Sequence, residues 1–280
     1  MDSYGLIGYP LGHSLSPQIH QRLFGLEGLD RPYSLLAFPP EELPGQIGRL
    51  RQLRGFNITI PYKQALFPYL AGLDGRAAFY HSVNTVSVQN GEMTGYNTDC
   101  IGFLRTMQSH NVRLDGSVCV VGAGGVGRMF ALEAAREGAQ VTVAVRAASR
   151  AKGEALAEEI LQKCGVRAQV AASETLDAPF SLLINATPVG MFPQVDACPV
   201  SERQIAQCAV VFDCIYNPRE TLLMRRAKML GAQVVGGMDM LVWQAAIAHE
   251  IWHGSHFTPE QIDPITAEME QLLAAREAQA

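Results

Sequence analysis

The 280-residue chain reads as an α/β protein of two domains, and three observations predict it. Its length lies near the point where a single hydrophobic core stops growing, so two cores are the better expectation. The run "GAGGVG" (122–127) stands between a strand-like and a helix-like segment. With the strand-like run after it, this makes a complete βαβ unit. Ahead of it, about a hundred residues alternate between strand-like and helix-like pieces of their own.

The elements follow in order. "SYGLIGY" reads as a strand, "SPQIHQRLFGL" as a helix with Pro17 in its first turn, and "YSLLAF" as a second strand. "PPEELPGQIGRLRQL" has helical spacing despite its Pro and Gly, "GFNITI" is β-branched and strand-like, and "PYKQALFPYL" makes a short helix. "VNTVSVQNGEMTGYN" predicts a hairpin turning at Asn90-Gly91, since Asn-Gly accepts the positive φ angles a two-residue hairpin needs. "TDCIGFLRTMQSHN" is then a connecting helix. In the second half "SVCVV", "QVTVAV", "RAQVAA", "SLLINA", "AVVFDC" and "AQVVGG" are strand candidates, with "VGRMFALEAAREG" a helix ended by Gly138. The tail reads as two helices, the second started by a capping box of Thr258 and Gln261. The expected layout is an N-terminal α/β domain over 1–99, a doubly wound, Rossmann-type nucleotide domain over 100–237, and helices over 238–280 returning to the first domain.

Composition narrows the function class. Hydrophobic residues make up 48% and charged residues 18%, a balance that buries a core. A net charge of -5 is a poor footing for nucleic acid or an anionic membrane, and "RLRQLR" (49–54) and "MRRAKM" (224–229) read as solvated helix faces. The six cysteines form no C-x-x-C pair, so buried free thiols are expected rather than disulfides or a thiolate metal site. The N-terminal "MDSYGLIGYP" has an acid where a signal peptide carries positive charge, and no apolar run reaches membrane length. The expectation is a cytoplasmic protein acting on a small molecule.

The glycine run carries chemistry because of where it stands. Gly122 permits a tight turn, Gly124 lets a pyrophosphate approach the backbone, and Gly127 lets helix and sheet pack closely, with the helix N-terminus facing the phosphates. An NAD site usually has an acid at the end of the next strand, to hold the ribose hydroxyls. This chain has "VAVRAASRAK" there, with Arg146, Arg150 and Lys152. Guanidinium groups suit a 2′-phosphate and favour NADP; the competing reading is that they only cap the next helix in solvent.

Three polar clusters sit at strand ends in the first domain: Ser14 and Ser16 in "HSLSP", Asn57, Thr59 and Lys63 in "NITIPYK", and Asn97 and Asp99 in "YNTD". Ligands of open α/β sheets bind outside the carboxyl ends of strands, so these could line one cleft. Singly, they also read otherwise: Ser16 as an N-cap, Asn84 and Asn97 as turn residues, Asp99 as a cap and Lys63 as a solvated helix residue.

Together with "SVNT", "GYNTDCIG", "GAGGVG", "NATPVGM", "DCIYNP" and "GMDMLVWQAA", the segments "GYPLGHSLSP" and "GFNITIPYK" stand in the order found in shikimate dehydrogenases, and the chain resembles that family over nearly its whole length. The resemblance implies two domains closing over a cleft, and NADPH-dependent, reversible reduction of 3-dehydroshikimate to shikimate on the route to aromatic amino acids. It implies that Ser14 and Ser16 bind the substrate carboxylate and that Thr59, Asn84, Tyr216 and Gln244 line the hydroxyl-rich ring. Lys63 and Asp99 are the implied catalytic pair. The cofactor falls to Gly122, Ala123, Gly124, Gly125, Val126, Gly127, Arg146, Arg150, Thr187 and Gly237. A monomer or homodimer is expected, with neither nucleic acid nor membrane as partner. A catalytically silent NADP-sensing module would keep the glycine loop but has no use for Lys63 and Asp99 together.

Two features depart from that picture. The family commonly shows Asn-Arg-Thr after the second nucleotide-domain strand, where this chain has Val145, Arg146 and Ala147; a quinate/shikimate dehydrogenase using NAD or NADP is therefore the alternative. Residues 249–253, "HEIWH", match the H-E-x-x-H pattern of zinc proteases. A metzincin continuation needs Gly and His where His256 and Pro259 stand, while Glu268 or Glu270 remains open as a third ligand by spacing. Histidines near a helix C-terminus are favoured by the helix dipole, which suffices as a structural account, so no metal is expected.

Overall fold

The structure, a computed structural model, describes residues 2–12 and 14–277. In chain order the first half runs β1 (Tyr4–Gly8), α1 (Ser16–Leu26), β2 (Tyr33–Ala37), α2 (Leu43–Leu50), β3 (Gly55–Ile58), α3 (Tyr62–Ala65), β4 (Gly72–Leu73), α4 (Gly75–Tyr80), β5 (Thr85–Gln89), β6 (Glu92–Tyr96) and α5 (Thr98–Ser109). The second half runs β7 (Ser117–Val121), α6 (Gly125–Arg136), β8 (Gln140–Val145), α7 (Arg150–Cys164), β9 (Gln169–Ala172), β10 (Phe180–Asn185), α8 (Glu202–Ile205), β11 (Cys208–Asp213), α9 (Leu222–Met229), β12 (Gln233–Gly236), α10 (Gly237–His253) and α11 (Pro259–Glu277). The chain divides into two compact units: one runs from the N-terminal strand through Gly102 and takes in Val242–Met269, the other comprises Phe103–Leu241 and the chain from Glu270 onward. No helix of the described residues is long and apolar enough to cross a membrane.

The first unit holds a mixed six-stranded sheet in the order β2-β1-β3-β5-β6-β4. β1 pairs in parallel with β2 and β3, whereas β5 runs antiparallel to β3 and β6 antiparallel to β5. The β5–β6 reversal has a local cause: Asn90 and Gly91 adopt φ of 54° and 79°, the paired positive angles of a two-residue hairpin. The two antiparallel pairings together have a consequence. β5 starts, and β6 ends, at the edge where β1 and β3 end, so four chain segments leave the sheet on one side. α1 buries Ile19, His20, Leu23 and Phe24, a helical stripe; it starts one residue earlier than an N-cap at Ser16 requires, with Leu15 at the cap position and no side-chain cap bond. α10 meets this sheet through Trp252, whose Nε1–H donates to Val86 O at 2.9 Å. A Cβ at Gly55 would stand 2.2 Å from that indole nitrogen, so glycine admits the ring.

The second unit is a doubly wound Rossmann-type sheet, parallel throughout, in the order β12-β11-β10-β7-β8-β9. Read from its β9 edge this is the 3-2-1-4-5-6 order of dinucleotide folds, with the switch point between β7 and β10. Helices cover both faces, so β7 and β10 are unbroken apolar runs, Val118 to Val121 and Leu182 to Ile184, all buried. Phe103, Phe130 and Phe212 pack with ring centroids 4.5–5.6 Å apart, tying α5 and α6 to β11.

Candidate active site

The polar residues expected from sequence in the first unit gather where β1, β3 and β6 end and β5 begins. Thr59 continues β3 and donates its N–H to Ile7 O at 2.9 Å, which places it beside the end of β1. Ser14 and Ser16 follow β1: the Ser14 hydroxyl donates to Ser16 Oγ at 3.1 Å and accepts from Ser16 N–H at 3.2 Å. Lys63 lies on the one-turn helix α3, and its carbonyl accepts from Val83 N–H at 2.9 Å, so the lysine backbone is tied to the segment entering β5. Asp99 opens α5.

These placements bring Lys63 Nζ within 2.6 Å of Asp99 Oδ2, with the side chains 30% and 19% exposed. The other carboxylate oxygen, Oδ1, accepts from Asn84 Nδ2 at 2.7 Å. Asn84 is buried, and its amide cannot rotate freely because Oδ1 accepts from Thr98 N–H at 2.7 Å. Thr98 Oγ1 in turn contacts Thr85 Oγ1 at 3.1 Å, and Thr85 Oγ1 accepts from Asn57 Nδ2 at 3.0 Å. Gln244 reaches the same place from α10, its Oε1 3.4 Å from Asn84 Nδ2. Gly102, one turn beyond Asp99, makes this possible: a Cβ there would stand 3.0 Å from the Gln244 backbone nitrogen. The ammonium is thus held by a carboxylate that is itself held by a buried amide, leaving Lys63 partly open to solvent. Such a group can donate or accept a proton at a bound ligand.

In the second unit the glycine loop fits a dinucleotide. Gly122 has φ of +106°, a region glycine enters without strain, and a Cβ on Gly127 would fall 2.1 Å from Gly122 O. Helix α6 starts behind Gly124 with no side-chain cap, and Gly124, Gly125 and Val126 are exposed while Ala123 is partly so. A Cβ on Gly124 would meet nothing within 4 Å, so the space before the helix N-terminus is open for a pyrophosphate. Arg146 and Arg150 stand exposed after β8, Arg150 paired with Glu154 at 2.8 Å. Val145 is buried and packs over Gly153 rather than facing outward. At the switch point, Thr187 Oγ1 donates to Asn185 Oδ1 at 2.7 Å, and Asn185 Nδ2 donates to Asp213 Oδ1 at 2.9 Å. Asp213 also accepts from Thr221 Oγ1 at 2.6 Å and from Ile215 N–H at 3.1 Å. Tyr216 extends from this loop and is 38% exposed. Gly237 opens α10 where a Cβ would collide with Cys214 O at 2.3 Å.

Of the expected set, then, Lys63, Asp99, Asn84 and Gln244 are linked in turn by pairwise contacts, Ser14, Ser16 and Thr59 share their edge of the sheet, and Tyr216 and Thr187 lie in loops after β11 and β10. The residues behind Asn84 (Thr98, Thr85 and Asn57) form a support whose pairing depends on strand order, which short-range sequence pattern does not carry.

Known proteins agree with this architecture. The family described as shikimate dehydrogenase substrate binding domain matches residues 6–86. A shikimate dehydrogenase (NADP(+)) of Methanocaldococcus jannaschii is 37% identical over 258 residues, covering 89% of this chain and 90% of the relative. Among solved structures, shikimate 5-dehydrogenase of Thermus thermophilus in complex with NADP(H) and shikimate superposes with a TM-score of 0.85 at 33% identity, covering 96% of this chain and 99% of that one. A ligand-free 5-ketofructose reductase of Gluconobacter sp. strain CHM43 gives a TM-score of 0.86 at 28% identity, covering 96% and 98%, so the shared fold spans more than one carbonyl substrate. With a relative of this identity matched over nine-tenths of its length, the chain belongs to the shikimate dehydrogenase family.

Proposed function

We propose that this chain is an NADP-dependent shikimate dehydrogenase, reducing 3-dehydroshikimate to shikimate and catalysing the reverse reaction in aromatic amino acid biosynthesis. The observation that carries the reading is the Lys63–Asp99 pair at 2.6 Å, fixed from behind by Asn84. NADPH, when bound along the 122–127 loop and the N-terminus of α6, supplies a hydride for a ring carbonyl. The chain's own residues supply the proton and the positions. Lys63 donates a proton to the carbonyl oxygen as charge develops there, and in the reverse direction takes it from the hydroxyl. Asp99 holds the ammonium, and Asn84 holds Asp99, so the donor is aimed before substrate arrives. Ser14 and Ser16 offer hydroxyl donors to a carboxylate, and Thr59, Tyr216 and Gln244 offer partners for ring hydroxyls.

Arg146 is the residue best placed for a 2′-phosphate, with Arg150 beside it. Thr187 and Gly237 border the cofactor loop's end of the sheet. The reading places the enzyme in the cytoplasm as a monomer or homodimer, with no nucleic-acid or membrane partner. One observation favours a second reading. The side chain of Val145 is packed in the core and Ala147 carries no polar group, which leaves Arg146 as the polar group of that triplet. A quinate/shikimate dehydrogenase accepting NAD fits that reduced set. Steady-state oxidation of shikimate and of quinate, each with NADP and with NAD, separates the two. The proposal expects shikimate with NADP to have the highest kcat/KM; no shikimate oxidation with either cofactor would remove it.

A further inference from the structure

The two histidines of "HEIWH" converge on a third residue far from them in sequence. Glu27 ends α1, and its carboxylate lies against α10: His249 Nδ1 is 2.8 Å from Oε2, and His253 Nδ1 is 2.9 Å from both oxygens. Spacing of i and i+4 puts both imidazoles on one face of the helix. Among the described residues, Glu27, His249 and His253 form the one group of three or more potential metal ligands, with ligand atoms all within 4.8 Å of one another. Their side chains are 8%, 0% and 16% exposed, so bulk water competes poorly for the site.

Both rings are also oriented from outside. His249 Nε2 faces His20 Nδ1 at 2.9 Å, and His253 Nε2 faces Tyr4 Oη at 2.7 Å. Such outer partners fix ring direction in metal sites. The carboxylate and the two Nδ1 atoms therefore face one another at 2.8–2.9 Å in a buried position, the arrangement a cation between them would hold.

We propose that Glu27, His249 and His253 bind one divalent transition-metal ion, with zinc the best match to two imidazoles and a carboxylate. A tetrahedral ion at ordinary zinc–ligand lengths needs ligand atoms about 3.4 Å apart, so the two nitrogen–carboxylate distances lengthen by roughly half an ångström, within reach of a carboxylate rotation. The role is structural. Glu250, which acts as general base in zinc proteases, is turned away: it accepts from Phe257 N–H at 3.4 Å and pairs with His256 at 3.4 Å. Glu268 and Glu270 are engaged by Arg22 and Arg219 instead. The ion therefore clamps the end of α1 to α10. It shares no ligand with the Lys63–Asp99 pair, so its test is independent of the proposed reaction.

The test is titration of the chelator-stripped full chain with Co²⁺ alone, read by its visible d–d absorption, followed by displacement with Zn²⁺. One equivalent is expected to bind with the spectrum of a nitrogen–oxygen ligand set and no thiolate charge-transfer band, and to be displaced by one equivalent of zinc. At a hundredfold excess over Kd, zinc should raise Tm by about 5 °C or more. Glu27→Gln and His253→Gln should each weaken binding by about a hundredfold, and both preserve hydrogen-bonding capacity so that the helices stay docked; His256→Gln should bind as the parent does. No saturable binding overturns the proposal. So does binding that survives both Glu27→Gln and His253→Gln, or a spectrum dominated by thiolate bands, which puts the metal on cysteine.

Discussion

Asp213 is wholly buried at the end of β11 and accepts hydrogen bonds from Thr221, Ile215 and Asn185. Burial raises its pKa to about 6, against those three bonds, which act to lower it. The fold therefore binds this proton more tightly than the unfolded chain, where the usual value is 3.8. The linked stability is fully present below pH 3.8 and is lost as pH rises through about 6. Two pK units correspond to about 3 kcal/mol. Asp213→Asn does not titrate, so urea unfolding of both chains between pH 4.5 and 7 should show the parent losing most of that amount relative to the variant. A constant gap across the window would contradict the assignment. None of this is legible in "VVFDC": the cost and the partners of Asp213 come from loops that meet only after the sheet is ordered. The same holds for Glu27, which sequence presents as an ordinary surface acid after an amphipathic helix. Lys63 and Asp99 were legible only through the family resemblance, because singly each passes for a helix-surface or capping residue.

Elements were easier to read than partners. The hydrophobic runs of β7, β8, β10 and β11 and the glycine loop before α6 follow from composition and period alone, as does the hairpin at Asn90-Gly91. The two-residue β4 and the short α4 are different. β4 is too brief to show a period, and α4 is set by Asp74, whose carboxylate caps Arg76 N–H at 3.2 Å and Ala77 N–H at 2.8 Å. Cofactor choice belongs to the turn between β8 and α7. Arg150 shares its charge with Glu154, whereas Arg146 stands exposed where the strand ends, so the two should not contribute equally. Arg146→Ala should weaken NADP binding by about tenfold or more, Arg150→Ala by less, and neither should much affect NAD. Calorimetric titration of each variant with both cofactors checks this. Equal losses for NADP and NAD would show that the arginines do not meet a 2′-phosphate.

At the scale of the whole molecule, the proposed reaction divides its labour between two compact units. The proton-handling group, Lys63 with Asp99, Asn84 and Gln244, belongs to the unit that contains β1–β6, and the glycine loop belongs to the unit that contains β7–β12. Each unit has its own sheet and its own buried core, so a change at Lys63 should leave the glycine loop intact. Lys63→Ala is therefore the most direct test of the central claim. Steady-state shikimate oxidation should show kcat lower by about 10²–10⁴ with a smaller change in KM, while NADPH binding, followed separately, stays at the parental level. Lys63→Arg should not restore the rate, since a guanidinium does not release its proton near neutral pH. Asp99→Asn should also be slow, and the double variant less than additively worse, as for groups acting as a unit. Near-normal kcat in Lys63→Ala with normal NADPH binding would contradict the account, because the proton would then have to come from a group other than Lys63.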